Sequence, residues 1–218
     1  MRKAVTAGVL GLLAVALARS GEAADELRPC FDFRTAVVDP LRPPIPMVPG
    51  RDNSAFGTYA NGIHWASTRA RMAMPIAELY ARLLDHRNHK DMTKTVLSTS
   101  ELERPGYLRF QRVDVVVTLR ALFLRKRLAW AEEWGFALTE GTREAPRRIV
   151  ASYQKVEGTR YLKHQCGSYV LRALDETTSD LSMYDEVIAE RRNAEDTRNM
   201  EAGILEGIRR QERRDPRP

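Results

Sequence analysis

The segment "LRKRLAWAEEWGF" sets Glu132 midway between Trp130 and Trp134, and a spacing of two puts all three on one face of an extended strand. The even positions from Leu124 to Phe136 hold the larger share of apolar residues, so that face is expected to point inward. A carboxylate carried inward is costly unless it is paired. Its candidate partners are Arg112, Arg71 and His164, or the polar end of a bound molecule. Tyr153 and Tyr169, on later strands, offer hydroxyls to the same space. Glu132 with Tyr153 or Arg112 is also the kind of pair that could move protons on a bound carbonyl compound.

Other chemistry is poorly represented. No "GxSxG" occurs, and Cys166, with His164 two residues away on the same strand face, reads as a disulfide or core pair. His86 and His89 stand three apart, but no third metal ligand is evident and they read as solvated surface histidines, so no metal is expected. The stretch "GTYANG" is a turn-former and not a phosphate loop, and no cofactor is implied. There are no internal repeats.

The positioning elements are mostly strands. "IHWASTRARMAM" alternates up to Pro75, a good first helical residue, and "PIAELYARLLDH" then gathers Ile76, Leu79, Tyr80, Leu83 and Leu84 on one helical face. A second, short and more polar helical turn is expected in "HRNHKDMTK". Six strand-like stretches follow, the last two joined in the hairpin "KHQCGSYVLRALDETTSDLSMYDEV", in which Gly167, Tyr169 and Leu171 answer Leu181, Met183 and Val187. In "LRFQRVDVVV" two phases compete, Phe110-Arg112-Asp114-Val116 against Gln111-Val113-Val115-Val117, so Arg112 and Asp114 are possible pocket groups only. The chain closes on a helix with Asn193 as N-cap, acids in its first turn and arginines in its last. At 100° per residue its apolar face collects Gly203, Gly207, Met200, Ile204 and Ile208. The two glycines either allow close approach to the sheet or leave room.

The N-terminus reads as a secretory signal, with Arg2 and Lys3 before an apolar run from Ala4 to Ala18 and small residues at Gly21 and Ala23. Cleavage after Ala23 is expected, an uncleaved anchor being the alternative. It would lower the formal charge from +6 by two. The remaining acids and bases are intermixed, which argues against a nucleic-acid partner. "LRALFLRKRLAW" is either a strand with a solvated face or an edge for transient membrane-surface contact. Two cysteines in an exported chain suggest a Cys30–Cys166 bridge. The organisation read is signal 1–23, Pro-rich arm 24–61, one domain 62–213 and tail 214–218.

The order of strand, two helices, six antiparallel strands and one long helix, with "RMAMPIAELYARLLD" and "GSYVLRALDETTSDLSMYDEV" as the carrying residues, resembles the START-like (SRPBCC) superfamily. The resemblance implies an α+β helix-grip fold: a seven-stranded curved antiparallel sheet wrapped around the C-terminal helix, with two short helices between strands one and two. It also implies an apolar cavity between sheet and helix. Lining residues placed on that frame are Trp130, Glu132, Trp134, Tyr153, Tyr169, Met183, Met200, Gly203, Ile204 and Gly207. The tryptophans would clamp a flat or chain-like ligand, or fill a core. The implied function is non-enzymatic binding or transport of a hydrophobic small molecule or lipid in the periplasm or outside the cell. The alternatives are a cyclase/aromatase-like enzyme and a protein-interaction module with a filled core.

Overall fold

The computed structural model describes residues 29–48, 51–86, 94–121, 124–190 and 192–214. Eight strands, β1 (Asn53–Thr58), β2 (His64–Met72), β3 (Lys94–Leu102), β4 (Arg109–Ala121), β5 (Leu124–Gly141), β6 (Pro146–Gly158), β7 (Leu162–Ala173) and β8 (Ser179–Ala189), form one antiparallel sheet in the order β1-β2-β8-β7-β6-β5-β4-β3. Strands β3 to β8 run as a meander, and β2 then pairs with β8, so the early strand closes against the last one. Helices α1 (Ile76–Leu84) and α2 (Ala194–Arg214) pack on the same inner face, in one core with Val113, Trp134, Ile149, Tyr169 and Leu181. This is the helix-grip α+β fold, with eight strands in place of seven.

The extra strand comes from the segment read as arm. "NSAFGT" is short but alternates in burial, and all six residues of β1 pair with β2. Gly57 lets the Trp65 indole lie close, since a Cβ would stand 3.0 Å from it and the ring would have to give by a few tenths of an ångström. Before β1, the described part of the arm is fastened to the outer face of the sheet. Phe31 and Phe33 pack with Tyr107, Phe110 and Cys166 in a second core. Gln154 exchanges hydrogen bonds with the Phe31 backbone at 3.0 and 3.1 Å, and Cys30 is disulfide-bonded to Cys166. Only the first and last residues of "HRNHKDMTK", His86 and Lys94, fall among the described residues, so the expected second short helix lies outside them.

Strand β4 resolves its two phases. Gln111, Val113, Val115 and Val117 face the core, while Arg112 and Asp114 lie on the outer face, paired with each other and with Glu157 and Ser98. They are not pocket groups. Helix α2 begins at a reciprocal cap, with Asp196 N–H donating to Asn193 Oδ1 at 3.0 Å and Asn193 N–H to Asp196 Oδ2 at 2.9 Å. Its buried face is Thr197, Glu201, Ile204, Leu205 and Ile208. That stripe is turned by about 80° from the expected one, and Gly203 and Gly207 are half-exposed on its flank. The reason is Glu201, a fully buried acid that an apolar count assigns to solvent. Arg82 of α1 donates to the Ile208 carbonyl at 2.8 Å and ties the helices together.

Candidate functional site

Glu132 is fully buried, and its partners are its own neighbours on the strand. Trp130 Nε1 donates to one carboxylate oxygen at 2.8 Å and Trp134 Nε1 to the other at 2.9 Å. Opposite Glu132 the register shifts, Ala131 pairing with Glu157 and Glu132 with Lys155, so that Val156 is an extra, bulged residue in β6. The expected partners lie elsewhere: Arg112, Arg71 and His164 all belong to the outer face. Trp134 stacks on Tyr153 of the adjoining strand, with ring centroids 4.2 Å apart and planes 9° apart. Tyr169 stands edge-on to both. His86 meets Trp134 edge-on at 4.9 Å and is hydrogen-bonded to Gln111. It is therefore buried and not a surface residue, while His89 lies outside the described residues.

Behind this stack is a second acid. Tyr153 donates to Asp185 Oδ1, and Tyr169 lies 3.2 Å from both oxygens of the same carboxylate. Gly167 makes the meeting possible, since a Cβ there would stand 2.4 Å from Asp185 Oδ1 and 2.5 Å from the Tyr153 ring. Burial, reinforced by the Asp185 charge, pushes both phenols well above their ordinary range, so they stay protonated as donors. Glu201 of α2 reaches the same spot, accepting from Thr68 Oγ1 at 2.5 Å. Burial first, and the Asp185 charge second, push its carboxyl well above the usual range. Glu201 is thus a neutral acid in the fold.

In front of the stack opens a cavity of about 600 Å³ between β4, β5, the β6–β7 turn, β8 and the start of α2. Val117, Leu128, Trp130, Leu162, Val187 and Met200 supply apolar lining, and Lys126, Glu190 and Arg192 also border it. Gln165 is the polar exception within. It is 6% exposed, and its Nε2 lies 3.5 Å from Tyr153 Oη. The Tyr153 proton is committed to Asp185, so its oxygen can only accept and the Gln165 amide must turn its N–H₂ toward it. That leaves Gln165 Oε1 at the other end, buried and without a hydrogen-bond partner. A separate hollow of about 420 Å³ lies outside, between the arm and the sheet, where Arg69 pairs with Asp180 and Arg148 with Thr139.

Of the residues expected at the site, Trp130 and Met200 line the cavity, and Glu132, Trp134, Tyr153, Tyr169, Met183 and Ile204 form the buried wall behind it. Gly203 and Gly207 lie on the half-exposed flank of α2 and do not line the cavity. Sequence reasoning missed Asp185, Glu201, Gln165 and His86. The alternation of β7 and β8 was a usable signal for Gln165 and Asp185, which share a face with Tyr169 and Met183.

The sequence matches no family model and no curated protein. Among solved structures, an aromatase/cyclase from Streptomyces sp. R1128 is 14% identical with a TM-score of 0.45, over 71% of this chain and 96% of that one. A STAR-related lipid transfer protein from Xanthomonas axonopodis is 12% identical with a TM-score of 0.45, over 73% and 98%. A human lipid transfer and protein localization domain is 10% identical with a TM-score of 0.45, over 73% and 89%. The fold assignment here stands on the chain's own topology.

The Glu201 environment predicts a pH effect. The folded protein keeps a proton that the unfolded chain gives up above the ordinary carboxyl value of 4.5, so this group's stabilisation is complete below that pH and is lost as pH rises toward the raised folded value. Glu201→Gln removes the titration. Denaturant melts across that window should show the variant gaining on the wild type by up to about 1.4 kcal/mol per pH unit. A pH-independent difference would contradict a neutral Glu201.

Proposed function

We propose that the protein is an exported, non-enzymatic carrier or sensor that binds a predominantly apolar small molecule bearing one hydrogen-bond donor. The observation that carries this reading is the cavity itself, about 600 Å³ with an apolar lining and one buried, unpartnered acceptor, Gln165 Oε1. The volume lies within the ordinary range for small-molecule sites. A buried acceptor left unmatched costs on the order of 1–3 kcal/mol, which a ligand hydroxyl or N–H would recover. The buried acids serve the wall and not the ligand: both Glu132 oxygens are held by indoles and Asp185 by two phenols. That arrangement favours binding over proton transfer to a bound carbonyl compound. Lys126 and Arg192 border the cavity and suit transient approach to an anionic membrane surface, though no helix among the described residues is long and apolar enough to cross a membrane. The charged start and apolar run at residues 2–18, together with a disulfide, fit an oxidising compartment.

Binding is tested with N-phenyl-1-naphthylamine, whose fluorescence should rise on the wild type and not on Met200→Trp, which fills the cavity from the helix side. Dodecan-1-ol should displace the probe roughly tenfold better than dodecyl methyl ether, and Gln165→Leu should erase that preference while still binding the probe. Absence of probe binding to the wild type would leave a protein-interaction module with a filled core. For export, the intact mass of protein recovered from outside the cytoplasm should begin near Ala24 and fall two hydrogens below the dithiol form. An intact Met1 on a cytosolic product would end that part of the proposal.

A further inference from the structure

The outer face of the sheet gathers a second group of chemistry-bearing residues that the cavity does not use. Cys166 and Glu186 are direct cross-strand partners on β7 and β8, and His164 projects from the same face two residues before Cys166. The arm brings Cys30 onto this patch, where it is bonded to Cys166. His164 Nε2 lies 3.6 Å from Cys30 Sγ, 3.5 Å from Cys166 Sγ and 3.5 Å from Glu186 Oε2. One donor atom from each of the four residues lies within 4.8 Å of every other. The carboxylate is aimed as well as near. Tyr184 Oη donates to Glu186 Oε1 at 2.7 Å and is itself hydrogen-bonded to Tyr59 Oη at 2.8 Å, which leaves Oε2 turned toward the imidazole. The group is sheltered, with the His164 and Glu186 side chains 9% and 18% exposed.

These distances match a coordination polyhedron. In a tetrahedral zinc site, with metal–sulfur bonds of about 2.3 Å and metal–nitrogen and metal–oxygen bonds of about 2.1 Å, the sulfur–nitrogen edges measure roughly 3.5 Å and the nitrogen–oxygen edge roughly 3.4 Å. Those three edges are already in place. The two sulfurs are held together by their covalent bond, and once it is broken that edge would open to roughly 3.8 Å. Two cysteines, one histidine and one carboxylate are a donor set that zinc accepts, and the hydrogen bond from Tyr184 is the kind of outer support that orients a ligating carboxylate.

We propose that reducing the Cys30–Cys166 bond converts this cluster into a site for a zinc-class divalent cation, held by Cys30 Sγ, Cys166 Sγ, His164 Nε2 and Glu186 Oε2. A dithiol or phosphine reductant supplies the two electrons that break the sulfur–sulfur bond, and each sulfur takes up one proton to become a thiol. The incoming ion then displaces both thiol protons and binds the two thiolates. The oxidised protein offers no thiolate and so no site. The arm consequently has two interchangeable fastenings to β7, a covalent bond under oxidising conditions and a metal bridge under reducing ones.

The test is zinc competition against 4-(2-pyridylazo)resorcinol with the full chain, oxidised and after phosphine reduction with the reductant removed. The oxidised protein should leave the dye complex intact, and the reduced protein should withdraw one equivalent of zinc. Single His164→Ala and Glu186→Gln variants should bind at least about tenfold more weakly after reduction. The Cys30→Ser/Cys166→Ser double variant, which also lacks the staple, separates metal binding from any loosening of the fold, and it should withdraw none. Cobalt added to the reduced protein should give the intense visible bands of a tetrahedral thiolate site. Reduced protein that takes no more zinc than the double serine variant, or that binds equally well without both His164 and Glu186, overturns the proposal.

Discussion

Three carboxyl groups enclosed on the inner face of one curved sheet, Glu132, Asp185 and Glu201, are the constraint that the rest of the structure obeys. All three are 0% exposed, and each would be expensive to bury unanswered. Glu132 is answered by two indoles, Asp185 by two phenols and Glu201 by Thr68. These partners must sit at fixed places, so strands β5 to β8 are held in register by side chains as well as by their ladder. The same demands place Gly167 opposite Asp185, where a methyl group would collide. Helix α2 is also fixed rotationally, because Glu201 has to reach Thr68 on β2.

The cavity follows from that arrangement. The polar and aromatic groups form a wall of Trp134, Tyr153, Tyr169 and Asp185, and toward the cavity they leave one buried acceptor unmatched, the far end of the Gln165 amide. The orientation of that amide is dictated by the proton on Tyr153, which is in turn dictated by Asp185. A buried acid thereby sets which polar group faces a ligand several atoms away. The outer face is organised independently, by the arm, its aromatic residues and the disulfide.

What could be read from the sequence depended on how cleanly each pattern separated. The inward face of β5 was legible because its even positions carry both tryptophans, and the hairpin from Lys163 to Val187 because its turn is polar and its strands alternate. Strand β4 was not, since Val113, Val115, Val116 and Val117 put valine on both faces. Strand β1 was hidden among prolines and glycines, where six alternating residues carry little signal without Trp65 opposite them. The rotation of α2 was missed because a buried glutamate reads as solvent-facing until its threonine partner is known. Glu132 was recognised as anomalous, but its partners were sought among cations, whereas two indole N–H groups at i−2 and i+2 were at hand.

Native mass spectrometry of the protein isolated without denaturation tests the binding claim most directly. A single lipid-sized adduct, either retained from the cell or acquired on incubation with dodecan-1-ol, is the result predicted from an apolar cavity with one unmatched acceptor. A protein that flies at its bare mass in both conditions would contradict the account and leave the enclosed acids as the framework of a solid core.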